Sequence, residues 1–207
     1  DRILGTPNLA DMARKPVLIE LLLAALDEVS PDVLEKPAQV YLYATNKLLL
    51  RNIDTQRTFT TTSDKLYFLC ELAWEMIKSG DLRIHYKDVP ERIKSYFRDK
   101  NLDQHELDTW DFDLRSQTLL HRDAAGYYEF AHKSLAEYFV AYKFAAELGC
   151  LATEFACAYC EADKKPCQVS IEKRKGNELA KTFGLFALDD QKMWTVASFL
   201  IEIISDN

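Results

Sequence analysis

Between residues 66 and 77 apolar side chains recur at 66, 69, 72, 73, 76 and 77, the three-and-four spacing that lines one face of an α-helix. The run closes on Lys78-Ser79-Gly80, a cation in the last turn followed by a glycine where a left-handed residue ends many helices. Ahead of it, residues 57–65 (RTFTTTSDK) read as a Thr- and Ser-rich linker, with Ser63 as N-cap and Asp64 at the helix's positive end. Downstream, LRIHY at 82–86 is a short strand candidate, and 89–97 fits a second helix with Pro90 in its first turn. The polar, acidic stretch 98–113 predicts a short helix and a loop.

Two apolar and aromatic runs, 117–121 and 127–131, flank RDAAG, where Gly126 is available for positive φ, so a β-hairpin is expected. Ser134 and Glu137 then stand in the S-x-x-E spacing of a capping box, and Leu135, Tyr138, Phe139 and Tyr142 follow at i, i+3, i+4, i+7. Helix, strand, helix, hairpin, helix is the order of a winged-helix domain with an extra helix after the wing. Nearer the start, residues 8–27 (NLADMARKPVLIELLLAALD) open on a capping Asn8. They predict two helices meeting at Lys15-Pro16, since proline breaks a helix interior but suits a first turn. The second is apolar on nearly all sides and so buried. Pro31 and Pro37 punctuate the way into a third helix over 37–51. The tail predicts a Cys-containing helix, a polar insert (EADKKPCQVSIEKRKGN) and helices at 177–187 and 189–204. The fold class read from this is mainly α with a small β-hairpin: a helical domain over 1–57, a winged-helix domain over 58–145 and a C-terminal helical region over 146–207.

Composition narrows the chemistry. At 207 residues and 48% apolar the chain can bury a substantial core, and 26 Lys plus Arg against 33 Asp plus Glu work against non-specific binding to a phosphate backbone. Nucleic acid is therefore not the expected partner. No apolar run approaches the roughly 20 residues of a membrane span, and the first 20 residues lack the zones of a signal peptide, so the chain reads as cytoplasmic. It opens on DRILG without a methionine, which is expected of a segment of something longer. The odd count of five cysteines argues for reduced thiols rather than a disulfide framework.

Among nucleotide-binding and hydrolytic signatures, G-x-x-x-x-G-K-[ST], G-x-G-x-x-G, G-x-S-x-G and H-E-x-x-H are all missing, and six glycines leave little material for a phosphate loop. An independent enzyme is not expected. Cys150, Cys157, Cys160 and Cys167 are weak candidates for a zinc site, because four thiolates suit tetrahedral zinc; the C-x6-C-x2-C-x6-C spacing departs from the paired knuckles of a zinc ribbon, and packing is the simpler reading. A DNA-reading winged helix would use VPERIKSYFRDK as its recognition helix, where Glu91 and Asp99 offset the cations and an acidic run follows. His85, His105 and His121 show no ligand spacing and read as surface or loop residues. His132 stands at the end of a wing strand, where the pattern alone favours a core-edge histidine hydrogen-bonded to backbone.

The segment LLHRDAAGYYEFAHKSLAEYFVAYKFAAEL resembles the winged helix of NACHT-type STAND NTPases, signalling ATPases related to the NOD-like receptors. Phe130, His132, Ser134, Glu137, Tyr138, Phe139 and Ala141 follow the pattern F-x-H-x-S/T-F-x-E-Y/F-F-x-A, with Leu135 where Phe is usual. LADMARKPVLIELLL is similar to the family's helical-domain segment, and the likeness spans about residues 1–148. The resemblance implies that His132 contacts the β-phosphate of ADP in a closed, inactive arrangement and that Pro16 packs by the adenine. It implies ADP or ATP as cofactor of a full-length parent, a P-loop core earlier in the same chain as partner, a homo-oligomer on activation, and a role in antiviral or stress defence. This segment alone is expected neither to bind nucleotide measurably nor to hydrolyse it. The alternatives left open are a winged-helix protein- or DNA-binding module without nucleotide, and a zinc-stabilised scaffold.

Overall fold

The computed structural model describes residues 35–51, 61–115, 119–156 and 191–204, together with Ile19 and Leu23. The helices expected over 8–27 and 177–187 and the polar insert lie outside the described residues, save for helical backbone at Ile19 and Leu23. The elements are α1 (Pro37–Arg51), α2 (Thr62–Ser79), β1 (Ile84–His85), a 3-10 turn (Tyr86–Asp88), α3 (Val89–Tyr96), a second 3-10 turn (Arg98–Lys100), α4 (Gln104–Arg115), β2 (Leu120–Arg122), β3 (Tyr127–Phe130), α5 (Lys133–Leu148) and α6 (Gln191–Ile204). The protein is mainly helical with one small antiparallel sheet of order β1-β3-β2. Among the described residues no helix is long and apolar enough to cross a membrane.

The helix starts differ from the sequence expectation by the choice of cap. α2 begins at Thr62, not after Ser63, because the Thr61 hydroxyl accepts from the Asp64 N–H at 3.1 Å while the Asp64 carboxylate accepts from the Thr61 N–H at 3.4 Å. With several hydroxyl residues in a row, the acid three positions on decides which one caps. α4 is likewise a full helix of 12 residues rather than a short one and a loop. Asp103 accepts from the Glu106 N–H at 2.8 Å and Glu106 from the Asp103 N–H at 2.9 Å, so two members of the acidic run are a capping box. Leu107 and Trp110 then face the core. By order, α4 and not α3 is the helix that precedes the wing.

In the wing, Leu120 pairs with Phe130 and Arg122 with Tyr128, while Ile84 pairs with Tyr128 from the other side. The turn is held by Asp123, whose carboxylate accepts from the Tyr127 N–H at 2.8 Å. Gly126 has φ +93°, and a Cβ there would stand 2.9 Å from the Tyr86 ring, so both the backbone and the available space require glycine.

α5 is the centre of the packing, with twelve of its sixteen residues buried. Tyr138 stacks with Tyr41 of α1 at 5.5 Å between centroids and meets Phe199 of α6 at 5.8 Å; Trp74 of α2 sits edge-on to Phe144 at 5.2 Å. Fully burying each such ring contributes on the order of 2 kcal/mol. Charges inside this core are paired. Lys143 holds Glu71 of α2 and, at 2.8 Å, Glu147. Lys65 lies 3.4 Å from Asp113, both buried, tying α2 to α4. Burial alone would lower the Lys143 pKa, but the Glu71 and Glu147 carboxylates outweigh it and hold it above its ordinary value.

Lys143→Ala strands two carboxylates in the core and should cost about 3 kcal/mol in urea unfolding, whereas Lys143→Met combined with Glu71→Gln and Glu147→Gln should cost clearly less. Equal losses in the two variants would refute a charge-driven effect. The Asp123 carboxyl is held below its ordinary value of 3.8, first by the Tyr127 N–H. Its stabilisation is therefore present above that pH and lost as pH falls through the depressed value. The melting-temperature gap between wild type and Asp123→Ala should accordingly be open at neutral pH and close on strong acidification.

Candidate functional site

The wing delivers His132 to the start of α5. Along β3 the alternation buries Tyr128 and Phe130 and exposes Glu129, and the Ala131 N–H continues the ladder to Leu119 C=O at 3.0 Å. His132 then takes an extended conformation, φ −151° and ψ 146°, and the helix begins at the next residue. The N-cap is thus His132 and not Ser134. The histidine's Nδ1 accepts from the Ser134 N–H at 3.1 Å, doing the work expected of the serine hydroxyl. Glu137, expected as the other half of a capping box, is buried with its carboxylate 3.7 Å from Lys133 Nζ. The Ser134 hydroxyl instead lies 2.5 Å from His132 Nδ1 and 2.6 Å from the Tyr41 hydroxyl.

Here the tautomer follows from the partners. A backbone N–H can only donate, so Nδ1 must offer its lone pair, and the proton of the neutral ring sits on Nε2. The ring borders an open cavity of about 320 Å³ between the end of α2, β3 and the start of α5. Met76, Leu82, Phe130 and Ala136 supply apolar walls; His132, Lys133 and Glu129 supply the polar rim. Lys133 and the positive end of α5 favour an anion there, and Glu129 opposes it.

A second cavity of about 260 Å³ lies on the other side of Met76, between α2, β1 and α3. Two of its charges pair with each other: Glu75 takes two contacts from Arg92, at 2.7 and 2.9 Å, and also accepts from the Tyr96 hydroxyl at 2.5 Å. His85, read as a surface or loop residue, caps the first 3-10 turn by accepting from the Lys87 N–H at 3.3 Å, and its ring packs on Tyr86 and Tyr127.

Of the other sequence candidates, Pro16, Cys157, Cys160 and Cys167 lie outside the described residues. Cys150 is half-buried with Sγ 3.6 Å from Leu148 C=O, and Cys70 is fully buried, its thiol pKa pushed well up by burial. Among the described residues no group of three or more His, Cys, Asp or Glu is placed to hold a metal. The residues that sequence reasoning missed are Lys133, adjacent to the histidine, and Tyr41, ninety-odd positions away in the chain, for which no sequence signal exists.

No family model matches the chain. It is 45% identical over 155 residues to an uncharacterized WD repeat-containing protein of Nostoc sp., a match taking in 75% of this chain and 10% of that protein. The chain thus spans about a tenth of the length of the curated relative it matches.

The capping role carries a prediction of its own. His132→Ala should lower stability by about 1 kcal/mol in urea unfolding, and His132→Asn, with an oxygen suited to the same N–H, should lose little of it. Equal stability of wild type and His132→Ala would contradict the cap.

Proposed function

We propose that this chain is the regulatory, nucleotide-state-sensing part of a STAND/NACHT-type signalling ATPase, with His132 donating from Nε2 to the β-phosphate of ADP held by an upstream P-loop core. The observation that carries the reading is the engagement of Nδ1 by the Ser134 N–H, which assigns the ring proton to Nε2 and so makes a donor of the nitrogen a phosphate needs. The cavity beside the ring and the cation at Lys133 support it. So does the Nostoc relative, about ten times as long as the matched stretch and described as carrying WD repeats, the kind of protein in which a sensing segment would sit between other modules. In this reading ADP stabilises one arrangement of core and winged helix because only that arrangement brings Nε2–H to the phosphate, and exchange for ATP releases the arrangement for oligomerisation. Hydrolysis belongs to the core. Pro16 would pack against the adenine. A DNA-reading role draws less support, since the exposed residues of α4 include Glu106 and Asp108.

The test is made in the full-length protein. The sequence encoded upstream should contain G-x-x-x-x-G-K-[ST]. The wild-type protein should retain ADP on purification, and His132→Ala should weaken ADP about 10-fold or more, the range for a hydrogen bond to a charged group. His132→Asn, which keeps the cap, should weaken it too. Unchanged ADP affinity in both variants would end the sensor reading.

A further inference from the structure

We propose that Tyr41 and Ser134 are positioning residues for His132, and that the chain Tyr41–Ser134–His132 couples the docking of α1 to whatever the histidine's Nε2 binds. The direction of the chain is dictated by the same backbone group that sets the tautomer. Because Nδ1 is an acceptor, the Ser134 hydroxyl 2.5 Å away must be the donor of that pair. Its oxygen then accepts from the Tyr41 hydroxyl at 2.6 Å. Two donors converge on Nδ1, the Ser134 N–H at 3.1 Å and its hydroxyl. They fix the ring plane and draw electron density from the imidazole, which strengthens Nε2–H as a donor.

Tyr41 can act in this way because its ring is immobilised. It lies between Tyr138, stacked at 5.5 Å, and Phe199, edge-on at 5.1 Å. The first turn of α1 is anchored from elsewhere in the chain. The Ala38 N–H, which has no partner within its own helix, donates to the Glu202 carboxylate of α6 at 2.7 Å, and the Gln39 amide donates to Glu154. The hydroxyl of Tyr41 therefore reaches Ser134 only while α1 is seated against α5 and α6. A ligand that prefers the aligned Nε2–H favours the seated α1, and by reciprocity unseating α1 weakens the ligand.

This inference rests on the sensor reading of His132, with ADP as the probe, and the two fail separately. ADP affinity is measured by calorimetry on the full-length protein for Tyr41→Phe, Ser134→Ala, Ser134→Thr, His132→Ala and the double variant Tyr41→Phe/His132→Ala, with unfolding midpoints recorded alongside. Tyr41→Phe and Ser134→Ala should each weaken ADP about 3- to 10-fold, the worth of one neutral hydrogen bond, and Ser134→Thr should restore near-wild-type binding. Tyr41→Phe should have no further effect once His132 is Ala, as expected of groups acting in series. If His132→Ala weakens ADP but Tyr41→Phe does not, or if the two effects multiply, the relay is overturned and the sensor stands. If His132→Ala leaves ADP binding unchanged, both are overturned.

Discussion

The architecture depends on burying α5 on nearly every side. A helix in that position cannot turn a polar stripe to water, so the charges it carries must be answered from within the core. Lys143 is held between Glu71 and Glu147, while buried Glu137 is met by the exposed Lys133 reaching in from the first turn. The rings of Tyr138 and Phe144 meet three different helices, which makes α5 the common wall for α1, α2 and α6. Once α5 is placed, the wing strand that leads into it is placed as well, and with it the residue at the junction.

That junction residue has one observed duty and one proposed, of different physical kinds. As an N-cap, His132 satisfies an orphan donor with Nδ1; in the proposed sensor role, Nε2–H would be the donor to a phosphate. The two nitrogens make the duties compatible and interdependent, because occupying one determines the protonation of the other. A serine or aspartate would cap as well, but would leave no N–H to offer.

The second cavity lacks this arrangement. Arg92, Glu75 and Tyr96 satisfy one another, burial and the Glu75 carboxylate raise the pKa of Tyr96, and the contact with Glu75 raises that of Arg92. Such a cluster locks α3 onto α2 instead of offering unsatisfied charge to a ligand. Its neighbour across Met76 has apolar walls from Met76, Leu82, Phe130 and Ala136 and a polar rim from His132, Lys133 and Glu129.

Local chemistry by itself determined much of the protein. The periodicity of α2, the turn at Gly126 and the glycine cap at Gly80 follow from groups that interact within a few residues of one another, and the helix over 37–51 and the strand at Ile84–His85 were legible from their local residue pattern. The sequence also singled out His132 by its place between an aromatic strand and a helix. It misled where several local solutions compete: four successive hydroxyl residues around the start of α2, an acidic run read as a short helix and a loop, and a serine better spaced for capping than the histidine that does it. Only the tertiary structure decided what no spacing encodes, namely that Tyr41 lies against Ser134, that Glu202 caps α1, and that Lys143 stands between two carboxylates. Those contacts join residues remote in the chain, and they exist because α1, α2 and α6 must all close on the same buried helix.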